Sequence, residues 1–308
     1  MNKETSTPHK FESLSEFQRM LGLPAPTHPL ISLITNRDGT IRPSADFPAQ
    51  FISSFYKITY KPNLRGKLRY GQHYYDFEEG GLFFIAPNQL SGLREPDTEI
   101  DYTGFTLLIH PDLFLSYSLA KTIKKYGFFG YAANEMLHLS ETERATILTI
   151  TGIIEDELHS RIDEFSQDVI ISQLDLLLNY SHRFYKRQFI TRKAVNNDLL
   201  QKLEALLEDY FSHDKPILQG IPTVQFLSDQ VNLSANYFSD MLRSLTGQNA
   251  QQHIHSKLIE KAKEKLSTTR LSVSEIAYEL GFEHSQSFST LFKAKTKLTP
   301  LAFRQSFN

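Results

Sequence analysis

The last 86 residues of the chain contain an internal repeat, and this repeat constrains the fold more than any other feature of the sequence. With an offset of 49, four apolar positions recur: Val224, Leu227, Val231 and Leu233 match Val273, Ile276, Leu280 and Phe282. With an offset of 50, a second set recurs: Phe238, Leu242, Arg243 and Thr246 match Phe288, Phe292, Lys293 and Thr296. Each copy predicts a short helix, a tight turn and a second helix with a polar outer face. Two copies are too few for a stacked repeat array, so we expect two helix-turn-helix lobes in one domain.

The turns and helix starts within the repeat support this interpretation. Ser272 and Glu275 have the spacing of a capping box before an apolar helix face. Gly281 then stands where the chain must turn with positive φ, and the matched position in the first copy is Asn232, the next most suitable residue. The second helices have their expected N-caps at Ser234 in the first copy and at His284 or Ser285 in the second.

The rest of this region predicts further helices. Residues 250–268 form one long helical pattern between the copies, and Thr299-Pro300 begins a last short helix with proline at a tolerated position. A single helix-turn-helix pattern also fits a small all-α domain that contacts only other proteins. Two copies with matched turns and matched apolar anchors favour DNA binding.

The segment LSVSEIAYELGFEHSQSFSTLFKAKTKLTPLAFR (271–304) resembles the C-terminal signature of AraC/XylS-type transcriptional regulators. The resemblance lies in I-A-x-x-x-G-F, then F-S-x-x-F-K, then T-P-x-x-F-R, and it extends over about 223–304. It implies that one helix of each lobe enters successive segments of the major groove, and that a sensing or dimerising domain lies upstream. The positions similar to the family's groove-facing residues are Asn236, Ser239 and Asp240 in lobe one, and Gln286, Ser287 and Thr290 in lobe two. Arg243 and Lys293 extend the same outer faces.

The charge of the chain is unevenly distributed. Residues 223–308 contain 10 Lys and Arg against 7 Asp and Glu, a net charge of 10 − 7 = +3, and the remainder carries 23 − 28 = −5. A domain with so small a positive charge attracts phosphates weakly, so we expect strong DNA binding to need two copies of the chain.

The N-terminal part predicts short antiparallel strands. Aromatic and β-branched residues are concentrated in 51–60, 67–77, 82–86 and 102–109, and glycines and prolines separate these runs. Such strands are typical of a sandwich or small barrel. The family resemblance implies a cupin-like barrel over about 25–110. We therefore predict an α+β chain with three parts: a cupin-like sensing and dimerisation domain (25–190), a helix and linker (191–222), and an all-α double helix-turn-helix domain (223–308).

The barrel region lacks the pattern of an enzyme. Metal-dependent cupins need several His and a Glu that converge on one ion, whereas His73 and His110 each stand alone. Nucleophile-elbow, P-loop and dinucleotide motifs are absent from the sequence. We predict no catalytic residue, no cofactor and no metal. The many aromatic residues are either core or the lining of a pocket for a small organic effector, whose contacts the sequence leaves unknown. Arg65, Lys67 and Arg69 share a strand face, which is either a solvated edge or an anion contact.

Two helices are predicted in the middle of the chain. Ser140 and Glu143 form a capping box before 141–159, and a second helix covers 166–189. On the second helix, Ile170, Leu174 and Leu177 form a wide apolar stripe. The stripe either packs against its own domain or forms the interface of a homodimer, and one helix can do both. A further helix covers 197–211, and 212–222 has the composition of a linker.

The sequence thus predicts a bacterial, sequence-specific DNA-binding transcriptional regulator of the AraC family. The alternative is a small-molecule-binding cupin whose helical tail mediates protein contacts only. The chain has no cysteine, its N-terminus lacks the apolar core of a signal peptide, and no run approaches 18 apolar residues, so we expect a cytoplasmic protein. The expected partners are duplex DNA, a second copy of the chain, a small-molecule effector and RNA polymerase, with no membrane.

Overall fold

The computed structural model describes residues 8–36, 41, 46–48, 50–62, 68–70, 73–75, 81–92, 103–132, 135–160, 163–191, 193–213 and 215–307. These residues divide into two compact units, Met1–Gln188 and Phe189–Asn308. The first unit contains β-sheets and helices and the second is helical, so the predicted α+β class is confirmed. The predicted domain boundaries at residues 190 and 222, which separate sensing domain, linker and DNA-binding domain, stay predictions.

The described strands of the first unit are β1 His9–Phe11, β2 Ile31–Asn36, β3 Gln50–Ser53, β4 Tyr56–Lys61, β5 Leu68–Tyr70, β6 His73–Tyr75, β7 Gly81–Ile85, β8 Leu90–Gly92, β9 Gly104–Ile109 and β10 Leu137–His138. Its helices are α1 Leu14–Met20, α2 Leu119–Thr122, α3 Glu141–His159 and α4 Ser166–Thr191, whose last three residues belong to the second unit. Short 3-10 turns lie at Pro111–Phe114, Ile123–Lys125 and Gly127–Gly130.

Among the described residues the strands form a five-stranded sheet in the order β10-β7-β4-β9-β2, a three-stranded sheet β1-β3-β8 and a pair β5-β6. The pairs within the five-stranded sheet are antiparallel. The cupin-like barrel itself stays a prediction. The predicted strand 51–60 proves to be two strands in different sheets. The chain leaves β3 at Ser53, whose hydroxyl donates to the carbonyl of Phe55, and enters β4 at Tyr56.

The two faces of the five-stranded sheet bury different cores. One face packs against α3, α4 and the 3-10 segments, where the ring of Phe84 lies 4.5 Å from Phe128 and 6.1 Å from Tyr185. The other face meets α1 and the three-stranded sheet over an aromatic cluster. Its buried members are Phe11, Leu14, Phe17, Ile34, Phe47, Phe51, Phe55 and Leu108. Aromatic residues that the sequence left open as pocket or core, among them Phe55, Phe84 and Phe105, are buried in these layers.

The helices of the second unit, after the end of α4, are α5 Lys193–Ser212, α6 Lys215–Gln219, α7 Val224–Gln230, α8 Ala235–Thr246, α9 Ala250–Thr268, α10 Val273–Glu279, α11 Ser285–Thr296 and α12 Pro300–Gln305. Helix α9 is central: α5, α8, α10 and α12 all pack against it. The predicted bounds 250–268 and 141–159 are those of α9 and α3.

The segment 212–222, predicted to be a linker, is packed rather than extended. It contains α6, in which Pro216 is buried near the helix start, and α6 contacts α10. The hydroxyl of Tyr210 on α5 donates to the carbonyl of Gly220 at 3.0 Å. Helix α5 is itself held on α9, where Glu208 accepts from Lys257 at 2.8 Å and from Lys261 at 2.5 Å. The hydrogen bonds from Lys257, Lys261 and Ser212 lower the pKa of Glu208 to about 2.

Candidate nucleic-acid interface

The first lobe is the helix pair α7 and α8. The hydroxyl of Thr223 accepts from the backbone N–H of Phe226 at 3.1 Å and begins α7. Asn232 turns the chain with φ +56°. Ser234 then caps α8 by accepting from the N–H of Tyr237 at 3.3 Å. The positive φ at Asn232 and the cap at Ser234 are both as the sequence predicts.

The second lobe is the helix pair α10 and α11. Ser272 and Glu275 form the predicted capping box: the Ser272 hydroxyl accepts from the Glu275 N–H at 3.2 Å, and the Glu275 carboxylate accepts from the Ser272 N–H at 2.6 Å. Gly281 makes the turn with φ +89°. The N-cap of α11 lies at one of the two predicted residues, but the capping hydrogen bond is missing. His284 is the N-cap residue but makes no side-chain cap bond, and Ser285 is already the first helical residue.

The two lobes repeat the hydrogen bonds of their turns and of the ends of their second helices. In both turns an N–H donates to a carbonyl five residues earlier: Leu233 to Ser228 and Phe282 to Ala277, each at 3.0 Å. At the ends of α8 and α11 the hydroxyls of Thr246 and Thr296 donate to the carbonyls of Leu242 and Phe292, each at 2.8 Å. The following C-caps, Gly247 and Lys297, have φ of +77° and +67°. The sequence repeat is therefore a structural repeat.

The signature residues that carry the family resemblance hold the domain together. Phe288 and Phe292 of α11 are fully buried, as are Phe238 and Leu242 at the matched places in α8. The ring of Phe303 lies 5.5 Å from that of Phe292. Arg304 donates to the carbonyls of Leu266 at the end of α9 and Leu271 just before α10, at 3.3 and 2.6 Å. These residues position α11 and leave its opposite face outside.

The residues predicted to face DNA lie on those outer faces. Asn236 and Arg243 on α8 are exposed, and Ser239 and Asp240 are half-buried. On α11 the side chains of Gln286, Ser287, Thr290 and Lys293 are all exposed. Each helix thus presents a polar face made of the predicted residues. Their contacts with DNA stay a prediction.

Asp240 and Arg243 interact within α8. The Oδ1 atom of Asp240 lies 3.5 Å from the Nη1 atom of Arg243, one turn apart. Arg243 therefore has a carboxylate beside it, whereas among the described residues no ion pair is formed by Lys293, its counterpart on α11. The outer face of α8 is therefore nearly neutral, and the outer face of α11 carries a positive charge.

The predicted dimerisation stripe lies inside the chain's own first unit. Ile170, Leu174 and Leu177 are 4%, 0% and 0% exposed in the single chain. Their burial corrects the interpretation of these side chains as a subunit interface, because they are already covered. The alternative, packing against their own domain, is what the structure shows. The exposed apolar side chains of the region are instead Phe165, Val169 and Leu176.

The described residues show no cluster of metal ligands. Among the described residues, no group of three or more His, Asp or Glu side chains is placed to hold a metal ion. The Nδ1 atom of His110 accepts from the backbone N–H of Asp112 at 3.3 Å, a local turn contact. The side chain of His73 and the residues Arg65 and Lys67 lie outside what the structure describes. Within the same limits, no helix is both long and apolar enough to cross a bilayer.

Comparison with known proteins matches the region described above. A helix-turn-helix domain family matches residues 227–306, which include the end of α7 and all of α8 to α12. The chain is 30% identical over 141 residues to the HTH-type transcriptional activator RhaS of Salmonella paratyphi B and of Salmonella newport. This match covers 46% of the chain and 46% of each relative, so the chain spans about half the length of the curated relatives it matches.

Solved structures are similar over the same region. The C-terminal domain of the response regulator yesN from Fusobacterium nucleatum is 31% identical, with a TM-score of 0.31, and the similarity covers 35% of this chain and 98% of that one. The DNA-binding domain of AdpA, solved in complex with a target DNA, is 24% identical, with a TM-score of 0.31, and the similarity covers 35% and 91% of the two chains. The family match shows a helix-turn-helix domain at the C-terminal end of the described chain, and the RhaS relatives are similar to this chain over a segment of 141 residues.

Proposed function

We propose that this protein is a transcriptional regulator that binds specific duplex DNA with α8 and α11 as its recognition helices. The observation that carries the proposal is the equivalence of the two lobes: each has the same turn, the same buried anchors and a polar outer face. A protein that acts on the chromosome works in the bacterial cytoplasm. We assign it no catalytic activity, since its matched relatives are named as regulators.

The polar residues on α8 and α11 are suited to reading bases. The amides of Asn236 and Gln286 have the donor and acceptor pair that binds adenine bidentately in the major groove. Lysine or arginine is absent from the six central positions, so few guanine contacts are expected. Arg243 and Lys293 lie at the ends of these faces, where they are suited to phosphate contacts that position each helix.

We propose that two copies bind one site. The +3 charge of residues 223–308 gives limited phosphate attraction, and a second attached domain raises the effective concentration at the DNA. The exposed apolar side chains Phe165, Val169 and Leu176 are spaced by 4 and 7 residues, so they share one face of the helical segment. This face replaces the buried stripe as the candidate dimer interface.

We further propose that the first unit senses a small organic molecule and that the protein activates transcription through contact with RNA polymerase. The second part of this proposal follows from the RhaS relatives, which are named as transcriptional activators. A ligand can change DNA affinity only if it binds one state of the chain more tightly than another.

The test is a mobility-shift assay of the purified full chain with fragments of its own genome. The proposal expects a subset of fragments to shift and to stay shifted in excess unlabelled random DNA. A double variant, Gln286→Ala with Thr290→Ala, should lose the selective shift. The matched control is Gln305→Ala, an exposed glutamine on α12. If no fragment is selected, the alternative applies, in which the helical domain contacts proteins only.

A further inference from the structure

Lys57 is a buried lysine in the middle of a sheet. It lies on β4 and is only 5% exposed. In the five-stranded sheet it pairs with Leu108 of β9 and Ile85 of β7. Its side chain extends from this sheet towards the three-stranded sheet, since its ammonium group reaches Phe51 of β3 and Ser91 of β8. Lysine is among the residues that are almost never fully buried unless paired.

The surroundings of the Lys57 ammonium offer little compensation for its charge. Its Nζ atom donates to the hydroxyl of Ser91 at 3.3 Å. It lies 4.2 Å from the centroid of the Phe51 ring and 5.8 Å from that of Phe17. Among the described residues, no carboxylate forms an ion pair with it. Burial lowers the pKa of Lys57 to about 7, with no charged neighbour contributing to the shift.

Next to Lys57 the same sheet face is polar and less covered. Alternation along β4 places Thr59 on the face of Lys57. The hydroxyl of Thr59 lies 3.2 Å from that of Thr106, its partner on β9. Phe83 of β7 pairs with Thr59 on the other side. Thr59, Thr106 and Phe83 are half-buried, whereas Leu108, the cross-strand partner of Lys57 on β9, is fully buried. The less covered part of this sheet face therefore lies towards Thr59 and Thr106.

We propose that this face binds a small organic carboxylate, whose anionic group pairs with Lys57 and Ser91 and whose body lies against Thr59, Thr106 and Phe83. The proposal rests on the proposed function, in which the first unit senses a small molecule, and it names the chemical class of that molecule.

The charge at the site decides between ligand classes. A carboxylate brings one negative charge and acceptor oxygens to one ammonium and one hydroxyl, which leaves no net charge buried. A neutral ligand would leave the ammonium uncompensated, and a dianionic phosphate would add a second buried charge without a partner. The rings of Phe51 and Phe83 favour an organic body over an inorganic ion.

The experiment measures the thermal unfolding temperature of the full chain with benzoate and with D-gluconate, each compared with its neutral analogue, benzyl alcohol or D-glucose. At least one carboxylate should raise the unfolding temperature of the wild type, and its neutral analogue should not. Lys57→Met should abolish this rise. Lys121→Met, at an exposed lysine of α2, is the matched control and should keep it. Inorganic phosphate should give no rise that depends on Lys57.

The ligand-free protein gives a second readout that does not depend on the choice of carboxylate. A buried lysine without a counter-ion destabilises the ligand-free protein. Lys57→Met should therefore unfold at the same or a higher temperature than the wild type. If Lys57→Met unfolds at a clearly lower temperature, Lys57 has a structural role and the proposal fails. Should this variant not fold, Lys57→Gln replaces it in the ligand series. A carboxylate effect that persists in the Gln variant, or no carboxylate effect in the wild type, overturns the site.

DNA binding is measured in the same samples to separate the two proposals. A carboxylate effect that requires Lys57 but leaves DNA affinity unchanged supports the site and refutes its role as a sensor. A carboxylate effect in a chain that selects no genomic DNA supports the site and refutes the proposed function. Selective DNA binding without any carboxylate effect leaves the proposed function standing and refutes the site.

Discussion

The carboxylate of Asp240 lies 3.5 Å from the guanidinium of Arg243, one turn further along helix α8 of the first lobe. An aspartate at this place can accept a hydrogen bond from cytosine or can hold a neighbouring side chain. The contact with Arg243 favours the second role. It also explains how a recognition face can contain an acidic residue without reading a base with it.

Changing the two partners of this pair should affect DNA binding in opposite directions. Asp240→Ala should strengthen binding to all sequences, because Arg243 loses its internal counter-charge and becomes available to a phosphate. Arg243→Ala should weaken binding uniformly and reduce the slope of log affinity against log salt by about 1. Fluorescence anisotropy over a salt series measures both effects. A changed base preference in Asp240→Ala would show instead that Asp240 reads a base.

Gln286 is the residue of the second lobe that we expect to read a base. It is exposed in the first turn of α11, and its amide suits adenine. Gln286→Ala should relax the preference at one base pair and cost about 1–3 kcal/mol in binding free energy. A binding-site selection with randomised DNA measures the profile, with Gln305→Ala as its control. An unchanged profile for Gln286→Ala would refute the assignment.

Gly281 should be far less tolerant of substitution than its counterpart Asn232. A Cβ at Gly281 would lie 2.6 Å from the carbonyl carbon of Gly220, and φ there is +89°. Gly281→Ala should therefore lower the free energy of unfolding by more than about 1 kcal/mol. Asn232→Gly, at an exposed turn position with φ +56°, should change it by less than about 0.5 kcal/mol. Urea denaturation measures the free energy of unfolding of both variants. Equal effects would contradict the close approach of Gly281 to Gly220.

Because Leu174 is buried and Leu176 is exposed, substitutions at these two positions can distinguish an effect on folding from an effect on dimer assembly. Val169→Glu with Leu176→Glu should give a folded monomer that binds a half-site weakly, because both side chains are surface apolar groups. Leu174→Glu should instead destabilise the first unit, because it would place a charge in the core. Light scattering and circular dichroism distinguish these outcomes. A wild type that is monomeric at micromolar concentration, with and without DNA, would contradict the dimer.

The low pKa of Lys57 predicts a pH dependence of stability. The folded state holds this lysine with a pKa of about 7, and an unfolded lysine has the ordinary value of about 10.5. Between these values the unfolded state binds more protons, so the contribution of Lys57 to the free energy of unfolding rises with pH, by at most about 1.4 kcal/mol per pH unit. No titratable side chain among the described residues contacts the ammonium of Lys57. The other charged residue on the same face of β4 is Lys61, which follows Thr59 in the alternation.

The measurement is the difference between wild type and Lys57→Met in urea denaturation from pH 7 to pH 10. The free energy of unfolding of the wild type should increase relative to that of Lys57→Met as the pH rises through this range. Parallel curves would show that Lys57 titrates normally in the folded protein.

Local signals made much of the helical part predictable from sequence. Helices 141–159 and 250–268 have the expected bounds because caps and apolar periodicity are encoded within a few residues. The turn at Asn232 was predictable only because the repeat aligned it with Gly281. The outer faces of α8 and α11 follow from the same periodicity.

Features that depend on distant packing were not predictable. Run 51–60 divides between two sheets, although its composition is that of one strand. The alternation of β4 places Lys57 and Tyr60 on opposite faces of the sheet. From sequence alone the face of Lys57 resembles a solvated face, but in the structure α1 and the three-stranded sheet cover it. The leucines at 174, 176 and 177 are chemically alike, so only the fold shows which of them are covered. The packing of α6 in the predicted linker likewise depends on contacts with α10 and Tyr210.

The central claim is that two equivalent lobes read DNA sequence together. The most direct measurement is to incubate the purified full chain with a random duplex library, recover the bound DNA and sequence it. The account predicts an enriched motif in which each half-site has two recognition elements about 10–10.5 base pairs apart, the spacing of successive major-groove segments on one side of the duplex. Recovered DNA with no enriched motif, or with one element whose enrichment is insensitive to changes in either α8 or α11, would contradict it.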